Sequence, residues 1–239
     1  MKLGNRCAIV TGSTKGIGLA IAEDLHREGA HVVISARNQR EISETVERLS
    51  ASGGGKVVGK RCDVQREEDV KDLIRFSIAE LGGVDILINN AGVGIFRSVE
   101  EMTADDWKKV ISTNLDSLFY ACHYAIPEMK KRGGGFIINI GSLAGKNAFV
   151  TGAAYNASKF ALVGFSEAIM QELRYDDIRV AYIMPGSVDT WFGGKAPEGG
   201  DSWKVGAGDV AQVVTETLKR DPRCLTSRIE IRPSKPPRK

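Results

Sequence analysis

Short apolar runs alternate with longer amphipathic segments along almost the whole chain of 239 residues. The runs are rich in Val, Ile and Leu, which is typical of strands that are buried on both faces of a parallel sheet. They predict strands near residues 6–12, 30–37, 56–64, 84–92, 135–142, 178–186 and 227–233. Apolar positions of helical period predict helices near residues 16–29, 39–52, 66–82, 103–133, 154–175 and 206–220.

This alternation predicts the fold class. Strands joined by right-handed helical crossovers form a doubly wound sheet with helices on both faces. We therefore expect one α/β domain over residues 1–239, with a mostly parallel seven-stranded sheet. A polar segment rich in Gly and Pro interrupts the pattern, and we interpret residues 189–205 as an inserted substrate loop. The basic, proline-rich end, residues 233–239, is expected to be a solvated tail.

The amino-acid composition and net charge indicate where the protein works and which partners it lacks. A hydrophobic content of 42% and a charged content of 26% are those of a soluble globular protein. No apolar run is long enough to cross a membrane, and the N-terminus lacks the pattern of a secretion signal, so we expect a cytoplasmic protein. The net charge of +3 comes from the basic tail, so no nucleic-acid partner is expected.

The cysteines and histidines favour no metal site. Cys7, Cys62, Cys122 and Cys224 form no C-x-x-C pair, and the three histidines are dispersed. Structural roles in a reducing compartment fit this pattern.

The first strand leads into a glycine-rich turn, "TGSTKGIG". Glycines there permit a tight turn and a close approach of backbone N–H groups to a phosphate, and the following helix adds its positive N-terminal dipole. A plain strand–helix turn is the alternative, but the strand before and the helix after favour dinucleotide binding. The predicted contacts are Gly12, Ser13, Thr14, Lys15, Gly16, Ile17 and Gly18.

The end of the second strand, "ISARN", carries a cation where many NAD sites carry an acid. Arg37 presents a fork of donors that suits a ribose 2′-phosphate, and Lys15 is a second candidate cation. Asn38 follows in the same turn. The pattern favours NADP(H) over NAD(H), although both cations are also compatible with a solvated surface.

Tyr155 and Lys159 are four residues apart in a predicted helix and therefore share one face. An ammonium held near a phenol stabilises the phenolate and lowers the phenol pKa from its usual value of about 10. Such a phenol exchanges protons efficiently near neutral pH. The alternative is a purely structural role, in which the tyrosine packs against the protein and the lysine reaches solvent.

Taken together, "VTGSTKGIG", "NNAG", "GSLAG", "YNASK" and "IMPGSVDT" occur in one order that resembles the short-chain dehydrogenases/reductases over nearly the whole chain. The resemblance implies a Rossmann fold and an NADP(H)-dependent oxidoreductase. Such an enzyme moves a hydride between the nicotinamide and a carbonyl or secondary alcohol of a small molecule.

The resemblance also implies catalytic roles. Tyr155 is the general acid or base, and Lys159 lowers its pKa and binds the nicotinamide ribose. Ser142 holds the substrate oxygen, and Asn114 positions a water that links Lys159 to solvent. Without that context Ser142 is compatible with an ordinary turn, and Asn114 with a polar residue inside a helix.

Further binding residues follow from the same resemblance. Asp63 and Val64 should meet the adenine, although Asp63 is also a natural N-cap for the next helix. Trp191, Phe192 and Trp203 of the substrate loop either contact substrate or merely seat the loop. The adenosine ribose should be flanked by Asn90, Ala91 and Gly92, and the nicotinamide and diphosphate by Pro185, Gly186, Val188 and Thr190.

One departure from the family pattern bears on which substrate is predicted. The chain lacks the Asp-Gly-Gly ending that is usual in oxoacyl-carrier-protein reductases, which favours a carbonyl reductase of small molecules. A 3-oxoacyl-thioester reductase remains an alternative. A non-catalytic nucleotide-binding sensor or scaffold is another, and the complete set of catalytic residue types argues against it. Because the family commonly forms dimers and tetramers, a homodimer or homotetramer is expected.

Overall fold

The computed structural model describes residues 2–192 and 203–237. Strands and helices alternate there in the predicted order. The strands are β1 (Cys7–Thr11), β2 (His31–Ala36), β3 (Val57–Arg61), β4 (Ile86–Asn89), β5 (Gly135–Ile140), β6 (Ile178–Pro185) and β7 (Arg228–Ile231). The α-helices are α1 (Gly16–Arg27), α2 (Gln39–Ser50), α3 (Glu67–Leu81), α4 (Ala104–Ile111), α5 (Ser117–Lys131), α6 (Ala153–Leu173) and α7 (Ala207–Lys219).

The seven strands form one sheet in the order β3-β2-β1-β4-β5-β6-β7, and every neighbouring pair is parallel. The chain runs outward from β1 to β3, crosses back, and then runs outward from β4 to β7. The order therefore reverses between β1 and β4, and open sheets of this kind bind ligands at the carboxyl ends of the strands there. The doubly wound fold predicted from the sequence is confirmed.

The sheet is buried on both faces, as its continuous aliphatic runs require. In β1, Ala8 and Val10 face the layer formed by α1, α2 and α7, whereas Ile9 faces the layer that contains α3, α5 and α6. All three side chains are fully buried. Complete burial of a large aliphatic side chain such as Ile9 stabilises the fold by about 1.5–3 kcal/mol. Packing against both helix layers therefore fixes the position of β1.

Strands β3 and β4 end earlier than the apolar pattern predicted. Strand β4 stops at Asn89, and the next residues turn out of the sheet, where Asn90 Nδ2 donates to the carbonyls of Thr11 (2.9 Å) and Gly12 (3.1 Å). Side chain–backbone bonds thus replace the sheet ladder at this edge. The residues that leave the strands line the cavity described below.

The segment predicted as one long helix, residues 103–133, is two α-helices joined by a single π-helical turn, Ser112–Asp116. The Thr103 hydroxyl caps its start by accepting from Asp106 N at 3.1 Å. A π-turn inserts an extra residue and is frequent at functional sites. Asn114 lies within it. No helix in the described part of the chain combines the length and the hydropathy that a bilayer span needs.

Candidate active site

A cavity of about 550 Å³ opens at the carboxyl ends of the strands, beside the point where the strand order reverses. The segments after β1 to β6 all contribute to it. Of the residues predicted from the sequence, the cavity brings together Gly12, Thr14, Lys15, Gly16, Ile17, Arg37, Asn38, Asp63, Val64, Asn90, Ala91, Gly92, Ser142, Tyr155, Lys159, Pro185, Gly186, Val188, Thr190, Trp191 and Phe192.

Four predicted residues do not line this cavity: Ser13, Gly18, Asn114 and Trp203. Ser13 is fully buried; its hydroxyl donates to the Val10 carbonyl (2.7 Å) and accepts from Ser35 N (2.8 Å). It therefore joins β1 to β2. Trp203 is 39% exposed, and the substrate-loop residues just before it, 193–202, lie outside the described residues.

The turn after β1 requires its glycines. Gly12 and Gly16 have φ values of +65° and +55°, which L-residues with a side chain rarely adopt. At Gly18 a Cβ would lie 2.3 Å from the Gly12 carbonyl oxygen. Helix α1 starts here without a side-chain cap, so its first N–H groups are available to an anion.

Arg37 and Lys15 have different surroundings. Arg37 is exposed at the cavity edge, and its guanidinium has no partner in the described ranges. Lys15 Nζ instead pairs with Glu41 Oε1 at 2.8 Å, while the Thr14 hydroxyl donates to Glu41 Oε2 at 3.1 Å. The hydrogen bond from Lys15 lowers the pKa of Glu41. Arg37 is thus the cation that is open to a ligand.

Sequence reasoning overlooked Glu41. The residue lines the cavity and accepts from Asn38 Nδ2 at 3.2 Å, while Asn38 caps α2 by accepting from Arg40 N at 3.0 Å. A glutamate three residues after an N-cap asparagine is an ordinary helix-start pattern. Its position therefore indicated a cap and gave no sign of the contact with Lys15.

Asp63 does not cap α3, and this alternative interpretation was wrong. The N-cap residue is Arg66, and Asp63 Oδ1 accepts from Gln65 N at 3.2 Å. Because the chain makes one more turn before the helix begins, Asp63 stays at the cavity wall beside Val64.

Tyr155 and Lys159 occupy the first turns of α6 and are 8% and 5% exposed. Lys159 Nζ donates to the Ile140 carbonyl at 3.0 Å and lies 5.7 Å from the centroid of the Tyr155 ring. Burial lowers the pKa of Lys159 to about 8. The prediction that both residues share one face of a helix is met by this arrangement.

The predicted lowering of the Tyr155 pKa does not occur in this structure. Burial raises the pKa of the phenol, and a hydrogen bond with Ser142 only partly offsets that effect. The physical reason is desolvation, which disfavours the phenolate in a nearly closed site. Lys159 adds no lowering effect here, although it is close to the ring.

Asn114 lies behind the cavity wall and is 1% exposed. Its oxygen accepts from Val93 N (2.8 Å), and its amide nitrogen donates to the Val93 carbonyl (2.9 Å) and to Ser158 Oγ (3.0 Å). Ser158 in turn donates to the Tyr155 carbonyl at 2.8 Å. Asn114 therefore connects the loop after β4 to the start of α6.

The sequence analysis also overlooked an aromatic neighbour of Tyr155. Phe96, in the loop after β4, lies edge-on to Tyr155 with 5.5 Å between the ring centroids. Its sequence signal is weak, since it is a single aromatic residue in the long segment between β4 and α4, residues 90–103. Only the packing of that loop against α6 reveals it.

Comparisons with known proteins agree with this geometry. Residues 6–199 match the model of the short chain dehydrogenase family. Dehydrogenase/reductase SDR family member 4 of Oryctolagus cuniculus is 41% identical over 191 residues, which cover 80% of this chain and 73% of the relative. The protein of the same name from Homo sapiens is 38% identical, with coverage of 80% and 68%.

Solved structures agree as well. An alcohol dehydrogenase from the archaeon Thermococcus sibiricus, complexed with 5-hydroxy-NADP, has a TM-score of 0.91 and 26% identity over 98% of this chain and 99% of that one. A metagenomic short-chain oxidoreductase in complex with NADP has a TM-score of 0.86 and 32% identity over 99% and 100%. Since the family model matches residues 6–199 and a relative that is 41% identical covers 80% of it, this chain belongs to the short-chain dehydrogenase family of oxidoreductases.

Proposed function

We propose that the protein is an NADP(H)-dependent carbonyl reductase of small molecules, which also oxidises the corresponding secondary alcohols. The observation that carries the proposal is the convergence of the Tyr155 phenol, the Ser142 hydroxyl and the Lys159 ammonium on the cavity that also contains the glycine-rich turn. A proton donor, an oxygen-binding hydroxyl and a phosphate-binding turn within one cavity are the requirements of this chemistry.

The residues fit a phosphorylated dinucleotide. The glycine turn leaves backbone space and helix N–H groups for a diphosphate, and Arg37 offers a fork without a competing acid partner for a 2′-phosphate. Lys159 has three donors, and one of them is used by Ile140, which leaves two for ribose hydroxyls. NADP and 5-hydroxy-NADP are named for two structural neighbours, which supports this cofactor.

When bound, the dinucleotide supplies or accepts the hydride. Tyr155 holds the proton that the carbonyl oxygen receives during reduction. Because burial raises its pKa, the phenol stays protonated at neutral pH, which suits a proton donor. The Ser142 oxygen accepts from Ala144 N at 3.1 Å, and its hydroxyl, which is hydrogen-bonded with the Tyr155 phenol, can turn to orient the substrate oxygen.

The remaining site residues complete the assignment. Lys159 places a positive charge beside the developing phenolate. Asn114 is assigned as a positioning residue, which fixes the start of α6 and, as the family resemblance implies, holds a water near Lys159. The substrate loop, residues 189–205, supplies Trp191 and Phe192 to the cavity.

The test is the rate of NADPH and NADH oxidation with diketones, aldehydes, quinones, oxo-esters and acetoacetyl thioesters. We expect a clear preference for NADPH and turnover of simple carbonyls. A preference for NADH would overturn the cofactor assignment. Rates with acetoacetyl thioesters far above those with ketones would favour the thioester reductase instead.

We also propose that the protein forms a homodimer or homotetramer through the outer faces of α4 to α6. Trp107, Phe119 and Phe160 on these helices are 44%, 51% and 47% exposed, and exposed apolar patches of this kind are typical of interfaces. In light scattering, Phe119→Asp or Phe160→Asp should lower the mass. Val99→Asp, at an apolar residue outside those helices that is 75% exposed, should not. A monomeric parent protein would contradict the proposal.

A cytoplasmic location stays part of the proposal. It is supported by Cys7, Cys62, Cys122 and Cys224, which are all free thiols, the first three of them buried. Cell fractionation in the native host would test it.

A further inference from the structure

Asn156 is a buried polar side chain, next to Tyr155 in the chain, that the proposed mechanism does not use. It is 7% exposed, and it is not among the described residues that line the cavity. Consecutive residues of an α-helix point in directions about 100° apart, so Asn156 does not share the face of Tyr155. A buried amide is costly unless it is hydrogen-bonded, so its partners indicate what it does there.

The Asn156 amide is bonded three times to the main chain of one segment, residues 141–152, which joins β5 to α6. Its Nδ2 donates to the carbonyls of Ala144 (2.7 Å) and Asn147 (3.2 Å), and its Oδ1 accepts from Phe149 N at 3.3 Å. Because these partners are two acceptors and one donor, they fix the orientation of the amide. We call residues 141–152 the β5–α6 segment.

The β5–α6 segment carries Ser142, which the proposed function assigns to the substrate oxygen. Ser142 begins a 3₁₀ turn, Leu143–Gly145, and its Oγ accepts from Ala144 N at 3.1 Å. Asn156 holds the carbonyl of that same alanine. A short chain of hydrogen bonds therefore runs from Asn156 through Ala144 to the Ser142 hydroxyl.

This turn also packs directly on α6. A Cβ at Gly145 would lie 2.7 Å from the Lys159 carbonyl oxygen, so the turn approaches the helix only because residue 145 has no side chain. At the other end of the β5–α6 segment, a Cβ at Gly152 would overlap Asn156 Oδ1. Both glycines therefore leave the space that the contact between the segment and α6 requires.

The contact bears on the reaction because Ser142 and Tyr155 come from different elements. A hydrogen bond joins their side chains, and both must reach the same carbonyl oxygen. Residues 146–150, which lie between them along the chain, are exposed. Misplacement of a catalytic group by about 1 Å can lower a rate about 10²-fold. Bonds that tie the β5–α6 segment to α6 therefore keep the two hydroxyls at a fixed separation.

We propose that Asn156 is a positioning residue, which fixes the Ser142 hydroxyl relative to the Tyr155 phenol so that both bond one substrate oxygen. This inference rests on the proposed function. Asn156 acts through Ala144 and touches neither the substrate nor the dinucleotide. Its loss therefore lowers the rate of reduction and leaves the binding of NADPH almost unchanged.

The first test separates the rate from cofactor binding. Asn156→Ala, and Asn156→Leu, which keeps most of the side-chain volume, should lower kcat about 10- to 100-fold and change the Kd for NADPH by less than about twofold. The substrate is any carbonyl that the parent protein reduces. Gln171→Ala removes an exposed amide from the same helix and should change neither value. A kcat equal to that of the parent protein in both Asn156 variants would overturn the proposal.

A double-mutant cycle distinguishes positioning from general support of the fold. If Asn156 acts through Ser142, adding Asn156→Ala to Ser142→Ala should lower kcat by less than about threefold more, because the group to be positioned is already absent. If the two losses multiply in full, Asn156 acts independently of Ser142 and the proposal is wrong.

Amide hydrogen exchange, followed by NMR, tests the same bonds without an assay of activity. In the parent protein the Phe149 N–H should exchange much more slowly than that of Val150, which is 88% exposed. Asn156→Ala should speed exchange at Phe149 and at Ala144, whereas Gln171→Ala should not.

The exchange rates also separate this inference from the proposed function. Rapid exchange at Phe149 in the parent protein would overturn the role of Asn156, even if its variants do not fold. If no carbonyl is reduced at all, the proposed function fails, and the exchange rates alone decide whether Asn156 holds the turn that carries Ser142.

Discussion

The two ends of the sheet each contain a buried charged side chain, and the two side chains differ in how many hydrogen-bond partners they have. At the amino ends of β4 and its neighbours, Asp85 is 1% exposed and fully paired. Arg132 donates to it from Nε (3.0 Å) and Nη2 (2.9 Å), Arg6 from Nη1 (3.1 Å), and the Cys7 backbone N–H at 2.8 Å. Burial opposes its ionisation, but these donors outweigh that effect and lower the pKa of Asp85.

At the carboxyl ends the buried ammonium of Lys159 has far less support. Within the described ranges, the Ile140 carbonyl is its one hydrogen-bond partner, and burial lowers its pKa to about 8. A charge held this way is costly for folding. The fold is therefore stabilised by paired charges at one end of the sheet, whereas groups with unused hydrogen-bonding capacity stay available to a ligand at the other.

The largest expected effect is at the site. Tyr155→Phe removes the proton donor, so kcat for reduction should fall about 10³-fold, while the Kd for NADPH and the melting temperature stay close to the parent values. Stopped-flow rates and fluorescence titration would measure both. A variant that keeps most of its rate would show that another group donates the proton.

At the opposite end, Asp85→Ala should lower the free energy of unfolding by about 3–5 kcal/mol, because it leaves Arg6 and Arg132 without their buried partner. Asp176→Ala, which breaks the surface pair with Lys130, is the control and should cost less than about 1 kcal/mol. Urea unfolding would measure both. Equal effects would mean that the Asp85 network contributes no more than a surface ion pair.

The pH dependence of the Asp85 contribution has a definite sign. The folded-state pKa is lowered, so the stabilisation is present above the unfolded value of about 3.9 and is lost as pH falls through the folded value. The difference in stability between the parent protein and Asp85→Ala should therefore shrink below about pH 4.

Arg37→Glu should weaken NADPH binding about 100-fold and leave NADH binding within a few-fold, because it replaces a phosphate partner by a like charge. Arg40→Glu, with the same charge change three residues away, is the control; Arg40 is paired with Glu44 on the helix surface. If Arg37→Glu weakens both dinucleotides alike, Arg37 has a structural role only.

Lys159→Met should abolish reduction yet stabilise the fold by about 1–3 kcal/mol at pH 7, because it removes a poorly solvated charge. The cost of this charge is complete below the folded pKa of about 8 and vanishes by the unfolded pKa of about 10.4, so the stability difference should shrink between those pH values. Destabilisation by Lys159→Met would show that the ammonium is well satisfied and that the two ends of the sheet do not differ in this respect.

The smallest effect concerns Lys15. Glu41→Gln should release the Lys15 ammonium from its ion pair and tighten the binding of NADPH at low salt. The expected gain is only about two- to threefold, since an exposed ion pair is weak. NADH should be unaffected. Glu44→Gln, on the outer face of the same helix, controls for net charge. Weaker NADPH binding by Glu41→Gln would mean that Glu41 orients Lys15 for the phosphate.

Much of this protein was determined by local sequence pattern. Continuous aliphatic runs separated by helical periods specify a buried parallel sheet, because each period places its apolar positions on fixed faces. The same regularity placed Tyr155 and Lys159 on one face, since residues four apart are neighbours on any α-helix. The ends of the strands then brought most of the predicted residues to one cavity.

The tertiary structure decided what depends on the surroundings of a side chain. The direction of the Tyr155 pKa shift follows from how deeply α6 is buried. The contact between the Phe96 and Phe192 rings joins two loops that are far apart along the chain, and the pairing of Lys15 with Glu41 joins the turn after β1 to helix α2. Desolvation and long-range contacts arise only when separate segments pack together, so no local pattern of the sequence records them.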